Sequence, residues 1–144
     1  VIVVDDHHLF AILARQATPE LAAAANASQV FTTATWYYRL ARAIHDTSFE
    51  GALTRRLESL DPKAQEQVRS QIDALPLAIG LISPRLLVPV MAKIAGTDHL
   101  NHLAAEALAV AIITEASITV VASSPHLANA CGRLGVDLVI ATER

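Results

Sequence analysis

VIVVDDHHLFAIL, residues 1–13, decides the fold class. Residues 1–4 form an unbroken β-branched apolar run, and Asp5 and Asp6 follow at once. A strand with one wet face alternates apolar and polar residues. A continuous run instead marks a strand covered on both faces, as in the centre of a parallel sheet, here with a polar carboxyl end. From residue 7 to 16 the apolar period lengthens to that of a helix.

Further along, the same alternation continues. Thr18-Pro19-Glu20 joins a capping hydroxyl, a proline at the first helical position and an acid in the first turn, so a second helix starts there and ends near Asn26. Residues 29–33 read as a short strand and 35–45 as a helix carrying Trp36, Tyr37 and Tyr38. Asp61-Pro62 caps a helix that runs to about Ala74. Residues 75–82 stay open between a short strand and an extended connection, because Pro76 and Gly80 weaken both. Ser83-Pro84 opens a helix toward Ile94, with a kink expected at Pro89 and a stop at Gly96. Thr97 or Asp98 is then expected to cap the longest helix, reaching about Ala116. Residues 117–122 form a strand, 125–133 a short helix and 136–140 the closing strand. Residues 47–60 are expected to be a mobile insertion. Strands alternating with helices imply a three-layer α/β/α domain over residues 1–144, with a parallel sheet of about five strands.

A chain of 144 residues suits one domain. Its residues are 53% hydrophobic and 17% charged, which provides for a sizeable core. The longest apolar runs, such as residues 107–113, fall far short of the roughly 20 residues a bilayer demands. Asp5 and Asp6 interrupt the only N-terminal apolar run, so no signal core is read there and a cytoplasmic protein without membrane contact is expected. The lone cysteine, Cys131, has no partner for an intramolecular disulfide and reads as a small buried hydrophobe. A net charge of −3 argues against a broad nucleic-acid surface. A local basic groove from Arg39, Arg42, Arg55 and Arg56 stays open, although such clusters are usually solvated helix faces.

In open parallel sheets, ligands gather beyond the carboxyl ends of the strands. That selects Asp5 and Asp6 after the first strand and Ser123, Ser124 and His126 after a later one. His99, His102 and Glu106, at i, i+3 and i+7, are expected on one face of the long helix. Glu106 interrupts the small apolar run 104–111, where a buried carboxylate needs a partner; the plainer alternative is a helix face turned to solvent. Five scattered glycines form no phosphate loop, and Ser123 and Ser124 lack the glycines of a nucleophile elbow. Ser124 before Pro125 reads as a helix cap, and the aromatic triplet at 36–38 as packing in preference to base stacking.

Three segments resemble the PIN domain family, the metal-dependent ribonuclease fold found in many toxins of toxin–antitoxin pairs. IVVDDHHLFAIL resembles its first strand, acid and helix; QVFTTATWYYRLARAI its second strand and acid-bearing helix; AEALAVAIITEASITVVASSPHL its long helix, fourth strand and terminal acid loop. The resemblance assigns the first acid to Asp5, with Asp6 as a register-shifted alternative. The second position falls on Arg39, the third on Glu106 and the fourth on Ser124, which lies 18 positions beyond Glu106. Two of the family's four acids therefore remain. Asp5 and Glu106 are the implied catalytic and metal-ligating residues, for Mg²⁺ or Mn²⁺ if the protein is active. Arg39 either enters the cleft and pairs with both carboxylates in place of a metal, or points to solvent as an arginine on a helix ordinarily does. His102 and His126, with His7, His8 and His99 nearby, are the alternative ligands of a softer ion. The resemblance implies a PIN-fold protein with weak or absent nuclease activity that binds RNA or a protein, the alternative being an active divalent-metal-dependent endoribonuclease. A homodimer and an antitoxin-like partner are implied in the same way. A flavodoxin-like regulatory domain is a weaker reading, since no lysine follows a late strand.

Overall fold

A computed structural model describes residues 1–46, 48 and 51–142. The apolar run at the start is β1 (Ile2–Val4), and α1 (Asp6–Leu13) and α2 (Pro19–Asn26) follow it. Then come β2 (Val30–Phe31), α3 (Ala34–His45), α4 (Ala52–Glu58), α5 (Pro62–Asp73) and β3 (Ile79–Gly80). The remainder is α6 (Pro84–Asp98), α7 (His102–Thr114), β4 (Ser117–Val120), α8 (Pro125–Leu134) and β5 (Leu138–Ile140). All five strands pair in parallel, in the order β3-β2-β1-β4-β5. The three-layer α/β/α architecture expected of the sequence is the one observed.

The strand order has a mechanical consequence. From β1 the chain steps outward to β2 and β3, then returns to the other side of β1 for β4 and β5. Parallel crossovers are right-handed, so reversing the direction of travel moves the connecting helices to the opposite face. The core divides accordingly. Val3 packs with Leu108, Val110 and Ile118 on the α6–α8 side, while Val4 packs with Leu9, Phe10, Leu40 and Ile72 on the other. Neighbouring residues of one strand thus feed opposite cores, which is why residues 1–4 could not alternate.

Caps fix most helix starts. Thr18, Thr33, Asp61, Asn101 and Ser124 each accept a backbone N–H from the first turn of their helix, and Pro follows the cap at Pro19, Pro62, Pro84 and Pro125.

Three sequence expectations need correction. Gly96 lies inside α6, which continues to Asp98 and ends where His99 turns left-handed at φ 55°. Thr97 and Asp98 therefore cap nothing; Asn101 caps α7, and α6 is the longer helix. His99 is consequently on a different element from His102 and Glu106. Third, residues 52–58 of the expected mobile insertion form α4, with Leu53 and Leu57 buried against α3 and α5 side chains. Residues 47, 49 and 50 of that stretch lie outside the described residues.

Candidate functional site at the carboxyl edge of the sheet

The order of the strands puts the topological switch between β1 and β4, where open α/β sheets normally leave a ligand crevice. Here Asp5 bridges the two strand ends. Asp5 follows β1 directly, caps α1 and is 4% exposed. Its Oδ1 accepts the backbone N–H of His8 at 2.9 Å and stands 2.7 Å from Nδ1 of the same histidine. Its Oδ2 accepts the backbone N–H of Val121, just past β4, at 2.8 Å. Burial alone would push the Asp5 carboxyl up, but the hydrogen bonds from the His8 ring, the His8 N–H and the Val121 N–H outweigh it and hold the group below its ordinary value. An ionised carboxylate only accepts, so the shared proton belongs on His8 Nδ1.

Asp6 behaves differently. It opens α1, is buried, and accepts the His7 N–H at 3.0 Å. Arg39 Nε stands 3.6 Å from its Oδ2, with 57% of the arginine side chain exposed. Burial raises the Asp6 carboxyl, and the charge of Asp5 adds to this; the Arg39 and His7 charges oppose it without winning. Arg39 therefore guards Asp6 from the solvent side. Of the two expectations for Arg39, pairing with both Asp5 and Glu106 is not met, since among the described residues its ion pair is to Asp6, and the largely exposed side chain lies nearer the solvent-facing alternative. Asp6, His7, Arg39 and Arg42 together line a small pocket of about 220 Å³ beside α4.

Glu106 sits on α7 among buried alanines and is 5% exposed, so its face has not turned to solvent. Its Oε1 accepts the Thr35 N–H at 3.0 Å, in the first turn of α3. Thr35 lies just past β2, whose partner β1 delivers Asp5, so Asp5 and Glu106 share one edge of the sheet. Parallel pairing brings the ends of β1, β2 and β4, and with them Asp5, Thr35 and Val121, to that edge. What differs is the use made of each acid: Asp5 staples β1 to β4, and Glu106 anchors α3.

Ser124 is the cap of α8, accepting the Leu127 N–H at 3.2 Å. His102 and His126 are exposed on the first turns of α7 and α8, and His99 is the exposed left-handed end of α6. Among the described residues no three His, Cys, Asp or Glu side chains converge as a metal ion would require. The donor set thus does not fit the Mg²⁺ or Mn²⁺ centre that the resemblance implies, because no third acidic or His ligand joins Asp5 and both Asp5 oxygens already accept N–H groups.

Sequence reasoning missed His8 as the partner of Asp5 and Thr35 as the partner of Glu106. The first had a signal: an acid at a helix cap with a donor side chain three residues on. The second joins residues 71 apart in the chain and had none. Trp36 is buried, Tyr37 donates its hydroxyl to the Ile72 carbonyl, and Tyr38 is exposed, so the aromatic triplet divides between packing and surface.

No family model matches this chain, and none of the curated proteins does. Among the described residues no helix is long and apolar enough to cross a membrane.

Proposed function

We propose that this chain is a PIN-type cytoplasmic protein with an incomplete metal site, with weak or no nuclease activity, that acts by holding RNA or a protein partner. The observation that carries the reading is the state of Asp5. The acid that should anchor the metal has three N–H donors on its two oxygens, and releasing it would leave the Val121 N–H and the His8 ring without their acceptor. Arg39 supports the same reading, because it places fixed positive charge against Asp6, the register-shifted alternative. Arg39 and Arg42 are exposed and line one small pocket beside α4, which places two guanidinium groups where RNA phosphates could be met. An antitoxin-like protein or a second copy of the chain is the corresponding protein partner.

A second reading, a divalent-metal-dependent endoribonuclease, is favoured by one observation: Glu106 and Asp5 share the carboxyl edge, and among the described residues no Lys, Arg or His forms an ion pair with Glu106. Anisotropy of a labelled single-stranded RNA, followed by gel analysis of the same samples, separates the two. The proposed reading expects RNA retained in chelator and intact after incubation with Mn²⁺. Mn²⁺-dependent cleavage that disappears in Asp5→Asn would replace it with the second.

A further inference from the structure

Glu106 also lines a cleft. Between α3, the loop after β3, α6 and the first turns of α7 runs a cleft of about 810 Å³, within the roughly 300–1,000 Å³ usual for small-molecule sites. Tyr37, Tyr38, Leu87, Val88 and Met91 line it. Tyr38 and Val88 remain 63% and 58% exposed, so this apolar surface is left uncovered by the fold.

Among the described residues one acid lines the cleft, and it is Glu106. It is 95% buried, it has one backbone N–H on Oε1, and no ion pair joins it to any described Lys, Arg or His. His102, which also lines the cleft, is exposed and makes no ion pair with it. Enclosing a carboxylate without a cation is costly. Apolar walls also lower the local dielectric, so a cation delivered by a ligand gains more there than in water. The tyrosine rings on the same wall suit a cation for a separate reason, the negative face of the aromatic ring.

We infer that this cleft binds a small organic monocation, an apolar body ending in one ammonium or guanidinium group. The cation pairs with Glu106, and the body lies along Tyr38, Leu87 and Met91. Anions are excluded by the same carboxylate. The site needs neither metal nor RNA, so it stands apart from the PIN-type reading.

Calorimetric titration with 4-phenylbutylamine, 4-phenylbutanol and 4-phenylbutyrate tests it, since the three differ in the charge of one end. The amine should bind at least about tenfold more tightly than the alcohol, as expected for one charge-assisted hydrogen bond, and the butyrate should give no heat. Glu106→Gln should bring the amine down to the level of the alcohol. Should that variant fold poorly, Val88→Lys on the exposed wall supplies a competing cation and should weaken the amine alone. Equal binding of amine and alcohol to the unmodified protein, or an amine preference that survives Glu106→Gln, overturns the inference. Excess Mg²⁺ should leave amine binding unchanged; competition would assign Glu106 to a metal and overturn it as well.

Discussion

Asp5 and Asp6 are adjacent, equally buried, and shifted in opposite directions, so their contributions to stability should run oppositely with pH. Asp5 lies below its ordinary 3.8 in the fold. Its contribution is therefore full above that pH and is lost as pH falls through the folded value. Asp5→Asn turns an amide toward the Val121 N–H in at least one orientation or forfeits the His8 ring in the other. Urea unfolding at neutral pH should register a loss of about 1–3 kcal/mol, the cost of one buried donor left unsatisfied, and the deficit should shrink below pH 3.8. Asp6 lies above its ordinary value, so its ionisation opposes folding and stability drains away as pH rises from 3.8 through the folded value. Asp6→Asn should accordingly gain stability over the unmodified protein in thermal melts at neutral pH and show no gain in strong acid. The exposed Arg39 pair it gives up is worth little. A neutral-pH loss in Asp6→Asn would mean that Arg39 governs the group after all.

Elements were legible in the sequence wherever a local chemical signal marked them. Thr18-Pro19, Asp61-Pro62, Ser83-Pro84 and Ser124-Pro125 each announced a helix and each opens one. Glycine misled in two opposite ways. Gly96 looked like a helix stop, yet α6 passes through it with nothing within 4 Å of where a Cβ would stand. Gly80 weakened the case for a strand, yet it is in β3 because a Cβ there would come within 2.4 Å of the Phe31 ring across the ladder. One glycine is dispensable and the other is required by a cross-strand ring. Gly96→Ala should stabilise by about 0.5–1 kcal/mol, and Gly80→Ala should destabilise by about 1–3 kcal/mol through overpacking. Paired denaturant curves would show this, and a matching sign for both would contradict the distinction. The end of α6 at His99 and the start of α7 at Asn101 were hidden because a left-handed histidine carries no sequence mark.

For the molecule as a whole, the class of sheet was readable from four residues, because a strand buried on both faces has no polar position to spare. The meeting of distant acids at one edge was readable too, since parallel strands deliver their carboxyl ends together. Apart from His8, three residues beyond the Asp5 cap, which donor each acid would take was not readable. Val121 reaches Asp5 across 116 residues, and Arg39 chooses Asp6 over Asp5 through side-chain reach that periodicity does not encode. Those choices separate a metal centre from a hydrogen-bonded joint between β1 and β4. Calorimetric titration with Mn²⁺ tests the difference most directly, on the unmodified protein and on Arg39→Glu. The unmodified protein should give no metal-dependent heat at physiological Mn²⁺, while the variant, with the cation replaced by a carboxylate beside Asp6, should bind it. Mn²⁺ binding by the unmodified protein that Asp5→Asn abolishes would show that Asp5 is a ligand, and would contradict its role as the staple between the two strands.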